Sequence, residues 1–123
     1  MTNSKIRFEK TTWPVGFKCQ SGEFKCESFV SFFDRLKGLE FTERDDVTRV
    51  FMSCNSVHTI GMREHLDIAF LSPRSKVVAV HFDVGPGSLL KNREADVVLE
   101  RFSSDEPWVE VGETIKWTES DGD

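Results

Sequence analysis

Two apolar runs joined by a short polar turn constrain this chain most. Residues 65–71, "HLDIAFL", and 76–84, "KVVAVHFDV", read as strands, and "SPRS" between them is made of turn formers. A connection that short permits only an antiparallel hairpin. Aligning Leu71 with Val77 sets Ile68 opposite Val80 and Asp67 opposite His81. A one-residue slip would exchange the faces, so this register is an expectation to test.

Other segments follow the same pattern. "VTRVFMSC" from Val47, "EADVVLERF" from Glu94 and "WVEVGETIKW" from Trp108 read as strands, the last broken by a turn or bulge at Gly112. "VGPGS", residues 84–88, places Pro86 and Gly87 where a type II turn wants them. "GFKCQSGEFKCES", residues 16–28, reads as a hairpin turning at Gly22-Glu23. That register puts Phe17, Cys19, Phe24 and Cys26 on one face, with Cys19 opposite Cys26. The pairing admits a disulfide, but two small buried apolar side chains explain it better, since free Cys often behaves as a core residue.

"SFFDRLKGLEF", residues 31–41, is the one helix expected. Ser31 and Asp34 resemble a capping box, and Phe32, Phe33 and Leu36 form an apolar stripe. The order is thus two strands, a helix, then about five strands. The expected fold is α+β and mostly antiparallel: a small partly closed barrel or curled sheet, with one main helix over an opening. Residues 1–117 are expected to form one domain, with 118–123 an acidic tail that frays.

The totals exclude several classes. The 123 residues fit one domain without staples. Net charge is −5 and no two Lys or Arg are adjacent, so the basic face that nucleic acid or an anionic membrane requires is missing. No apolar run approaches the ~20 residues of a spanning helix. "MTNSKIRFEK" lacks the apolar core of a secretory signal. Three Cys is an odd count that suits free thiols. A cytoplasmic location follows as an expectation.

Several motifs together resemble an uncharacterised family, the domain of unknown function 192. They are "RLKGLEF" (35–41), "CNSVHTIGMREHLDIAFLSPRSKVVAV" (54–80), "PG" (86–87), "ADVVLE" (95–100) and "VGETIKW" (111–117). The central segment is the specific part. Two features depart from the pattern: the turn "SPRSK", and a short stretch between Glu100 and Val111. The resemblance implies one β-rich domain with one main helix and no known reaction, cofactor or substrate.

The densest polar cluster near the best strand is His58, Thr59, Arg63 and Asp67, with Met62 beside it as an apolar pocket wall and His81 added by the expected pairing. An Asp inside a strand is costly unless donors satisfy it. It can serve structure, a ligand, or a histidine acting as a base. Cys54, Ser56 and Thr59 are the available nucleophiles, but no nucleophile elbow or cysteine-hydrolase signature surrounds them. Cys19, Cys26, Cys54 and His58 are too widely spaced for an ordinary zinc knuckle. Leu89 and Leu90 could mark a contact surface or cap the barrel.

The function expected is a non-enzymatic ligand-binding or accessory module using His58, Thr59, Met62, Arg63, Asp67 and His81, with no cofactor implied. Its partner would be a small molecule or another protein. The alternative is a small hydrolase in which Asp67 orients His58 or His81.

Overall fold

The first hairpin shows how local chemistry sets register here. In a computed structural model, which describes residues 14–29 and 47–119, β1 (Pro14–Cys19) and β2 (Gly22–Phe29) pair antiparallel. The turn lies at Gln20-Ser21, not Gly22-Glu23, so Phe17 faces Phe24 and Cys19 faces Gly22. Gly22 supplies a φ of +143° where β2 begins. The apolar face is still the expected one, with the Phe17 and Phe24 rings stacked at 5.1 Å. Gly16 has its own reason: a Cβ there would sit 2.8 Å from the Phe24 carbonyl oxygen. Cys19, Cys26 and Cys54 are free thiols, and burial pushes Cys26 up to about 12.

β3 (Thr48–Met52), β5 (Leu66–Leu71), β6 (Val77–Val84) and β8 (Val97–Phe102) lie within the expected runs. β4 (Ser56–His58) and β7 (Leu89–Lys91) are three-residue strands that the sequence pattern did not reveal, and β9 is Lys116–Glu119. Seven strands form one sheet in the order β6-β5-β8-β3-β2-β1-β9, and β4 with β7 forms a second. Neighbours pair antiparallel except β2 and β3. That parallel pair cannot be joined by a tight turn, and residues 30–47 lie between the two strands in the sequence.

The α+β expectation is corrected. Every regular element among the described residues is a strand, and the main sheet curls into a half-barrel. The expected helix at 31–41 lies outside the described residues. The curl itself does burying that a helix was expected to do. All six residues of β5 and all six of β8 are buried, which requires cover on both faces. One face carries Val50, Ala69, Leu71, Val97 and Leu99, and is closed by Phe17, Cys26, Trp108, Val109 and Ile115. The other carries Phe51, Leu66, Ile68, Phe70, Val98 and Phe102, and Val57 and Leu90 of the small sheet pack on it.

A seam joins the two ends of the sheet. Residues 112–115 run beside the start of β6: Val77 N–H donates to the Glu113 carbonyl, Gly112 N–H to the Val77 carbonyl, and Ile115 N–H to the Ser75 carbonyl. Trp117 Nε1–H donates to Ser75 Oγ. Glu113 is buried behind this seam, accepting from Ser21 Oγ at 2.6 Å and Glu110 N–H at 2.9 Å. Burial alone would raise its pKa, but these bonds and one from Cys19 outweigh it and hold the carboxyl below its ordinary value. The same neighbourhood, burial first, raises the Cys19 thiol.

Candidate functional site

A bulge between β5 and β6 creates the polar centre. The register slips between Leu66 and Ile68, so Phe82 and Asp83 together oppose Asp67. Asp83 takes a φ of 58°, a left-handed conformation that Asp tolerates better than most residues. This turns the Asp83 N–H inward and its carboxylate outward. A second irregularity, between Phe70 and Leu71, shifts the rest of the ladder. Leu71 still meets Val77, but His81 now faces Ile68 and Val80 faces Ala69. The expected Asp67–His81 and Ile68–Val80 pairs are therefore not formed.

Asp67 is extended and turned inward, 1% exposed. Its Oδ1 accepts from the Asp83 N–H at 2.8 Å and from Ser103 Oγ at 3.0 Å. Its Oδ2 accepts from Arg101 Nε at 2.8 Å. Register explains the ion pair, because Asp67 and Arg101 are direct partners on β5 and β8. Arg101 spends its other donors on loop carbonyls: Pro107 and Ser104 at 3.4 and 3.2 Å, and Glu106 at 2.9 Å. Its guanidinium lies 4.9 Å from the centre of the Trp108 ring. One buried pair thus shapes the whole 103–107 loop.

Above this floor opens a cleft of about 900 Å³. Arg63, Glu64, His65, Phe82, Asp83, Asp105 and Glu106 line it with Ser103 and Ser104, and Asp67 lies in its base. Carboxylates outnumber cations. His65 Nδ1 and Asp83 Oδ1 are 3.1 Å apart, and Ser103 Oγ is also 3.1 Å from Asp83 Oδ1. Phe82 is 58% exposed at the edge, with its ring against Trp108. Ser104 and Glu106 are shared with a smaller groove of about 540 Å³, beside the β1–β2 turn.

Ser103, Asp83 and His65 are in the wrong order for nucleophilic catalysis. The carboxylate sits between hydroxyl and imidazole, whereas an activated serine needs the imidazole next to its Oγ. Cys54 donates instead to the Ser56 carbonyl. Among the described residues no group of three or more His, Cys, Asp or Glu is placed to hold a metal ion.

The six residues singled out from sequence are split between three places. Arg63 and Asp67 belong to the cleft. His58, Thr59 and Met62 belong to the small sheet and its turn: His58 is half-buried on β4, and Met62 packs on the second core. Buried Thr59 is a clamp, donating from Oγ1 to the Gly85 carbonyl at 2.7 Å and accepting from Ser88 N–H at 2.8 Å. His81 is exposed on β6, its ring edge-on to Phe70. Neither His58 nor His81 is among the partners of Asp67. His65, Asp83, Arg101 and Ser103 were missed. Arg101 had a readable signal, a charge inside the strand run "VVLERF". Asp83 had none, because its role depends on a bulge.

Comparison with known proteins adds the fold. No family model and no curated protein matches the chain. A crystal structure of a protein of unknown function from Novosphingobium aromaticivorans is similar, with a TM-score of 0.65 and 20% identity over 86% of this chain and 85% of that one. So is one described as a candidate transcription regulator from Sinorhizobium meliloti, with a TM-score of 0.69 and 17% identity over 87% of this chain and 95% of that one. Among the described residues no helix is long and apolar enough to cross a membrane.

Proposed function

We propose that this domain is a non-enzymatic binding module whose cleft over Asp67 holds a cationic group against an apolar edge. The observation that carries this is the lining. Glu64, Asp83, Asp105 and Glu106 converge on one open cleft, with exposed Phe82 at its margin. Small sites combine a few convergent polar groups with apolar contact. An amine or guanidinium attached to an apolar stem matches that combination. The Asp67–Arg101 pair serves as scaffold, because its hydrogen bonds are spent within the protein. The hydrolase reading, in which Asp67 orients His58 or His81, is disfavoured because neither histidine is among the partners of Asp67, and the order of Ser103, Asp83 and His65 supplies no substitute. Similarity to a described regulator is compatible with a binding role, and the resemblance of residues 54–80 to the domain of unknown function 192 supplies no ligand.

The test is a titration of the isotope-labelled protein with agmatine, followed by amide chemical shifts. The expected shifts fall at residues 63–65, 82–83 and 103–106, and weaken with added salt as exposed charge pairs do. Response to citrate instead, or to neither, refutes the reading.

A further inference from the structure

We infer that the outer edge of β6, from Val78 to Phe82, accepts an added strand from an extended peptide that delivers a basic side chain into the acidic cleft. This rests on the cationic reading of that cleft and specifies the class of partner.

The two ends of the seven-stranded sheet are not alike. β9 is four residues long and begins with exposed Lys116. β6 is eight residues long. Its stretch "VAVHF", residues 78–82, contains no Lys, Arg, Asp, Glu or Pro. Charge, proline and bulges are what keep an exposed edge from pairing. The two irregularities of β6 fall at Val78 and at Phe82 and Asp83, the ends of this stretch, and residues 79–81 between them keep a regular register with β5. The seam protects only the first residue, Val77. Among the described residues no backbone hydrogen bond reaches the outer side of β6 beyond it, and β5 is its single partner. An edge strand of this composition presents unused N–H and C=O groups to any extended chain, which is the basis of recognition by strand addition.

The edge also has a defined end. At Asp83 the N–H turns inward to Asp67, so ladder pairing stops there. Phe82 and Asp83 are also cleft residues. A peptide paired along Val78–Phe82 would run about 16 Å, at ~3.3 Å per residue, and its next side chain would enter the cleft. Charge selects the occupant. A second copy of this chain would present its own β6, which has no Lys or Arg between Val77 and Val84, on a molecule of net charge −5. A peptide of alternating apolar and small residues ending in Arg or Lys satisfies both edge and cleft.

The experiment uses the full chain and three six-residue peptides of sequence Thr-Val-Thr-Val-Thr-Arg, capped at both ends. One is unmodified. The other two carry N-methyl groups on opposite alternating sets of backbone nitrogens, so each blocks one side of the strand. The expected result is binding of the parent with amide shifts along 78–82 and at 103–106. One methylated isomer should lose about tenfold or more in affinity, and the other should bind nearly as the parent. Equal binding by all three, with shifts confined to the cleft, overturns strand addition and leaves the cationic cleft standing. Agmatine binding without peptide binding does the same. If neither agmatine nor any peptide shifts a resonance, both readings fall. Concentration-dependent dimerisation in sedimentation, with β6 shifts that no peptide competes away, also overturns it by naming a second copy as occupant.

Discussion

Replacing Asp67 by alanine removes an acceptor of three donors from a site that is 1% exposed. The three losses are unequal. Ser103 Oγ can turn to Asp83 Oδ1, already 3.1 Å away, so its loss is small. The Asp83 N–H has no such recourse, and an unpaired donor of this kind costs about 1 kcal/mol or more. Arg101 is the dominant loss. Its side chain is 9% exposed and keeps carbonyl partners, but it would lose its counter-charge, and stripping one member from a buried ion pair costs about 3–5 kcal/mol. Because that figure is for removing one partner as a whole and already includes the donors it leaves unpaired, the expected total stays about 3–5 kcal/mol, well above what a neutral polar deletion gives. In urea, with a slope of roughly 2 kcal/mol per M, the midpoint should fall by about 2 M. The decisive comparison is a cycle with Arg101→Met. If the two form a unit, the double variant should be more stable than additivity predicts by about 2 kcal/mol or more. Additivity within about 0.5 kcal/mol, or a loss under about 1 kcal/mol for Asp67→Ala, would refute the argument.

Two further expectations concern the clamp and the seam. Thr59→Val preserves shape but strands the Ser88 N–H, while the Gly85 carbonyl keeps the Ser88 Oγ donor, so it should cost about 1–3 kcal/mol in the same urea assay and speed amide exchange at 85–88. Glu113 has a folded-state pKa below its unfolded value, so its contribution is present above the ordinary carboxylate range and fades as pH falls through the folded value. Glu113→Gln should lose stability at neutral pH and show a flatter decline on acidification; parallel wild-type and variant curves of midpoint against pH would contradict this.

The sequence revealed strands better than it revealed their alignment. Apolar runs identified β5 and β8 because burial on both faces demands such runs, and β6, which is only partly buried, by its β-branched content and its short turn from β5. The three-residue strands β4 and β7 escaped, since so short a segment carries no period. The first hairpin kept its apolar face but moved its turn by two residues, because Gly22 serves the strand entry and not the turn centre. Asp67 was legible as a buried carboxylate, since an acid within an apolar strand must find donors. Its partners were not, because two irregularities between β5 and β6 displaced the histidine and brought in the Asp83 N–H. The α+β assignment failed for a different reason. It assigned to a helix burial that curling of the sheet also provides.

The pairing of β1 with β9 carries a consequence for how the molecule is made. Phe17 meets Trp117 across that ladder, their rings 5.7 Å apart, and the seam that follows depends on residues 112–115. Contacts so distant along the chain form slowly, because a long loop must close before they return any energy. On the ribosome, at about 5–20 residues per second, the first hairpin would wait several seconds for its neighbour on the other side. During that interval the face of β5 and β8 that Trp108, Val109 and Ile115 later close stands open, and nascent chains of this protein are most exposed to aggregation just before position 119 emerges.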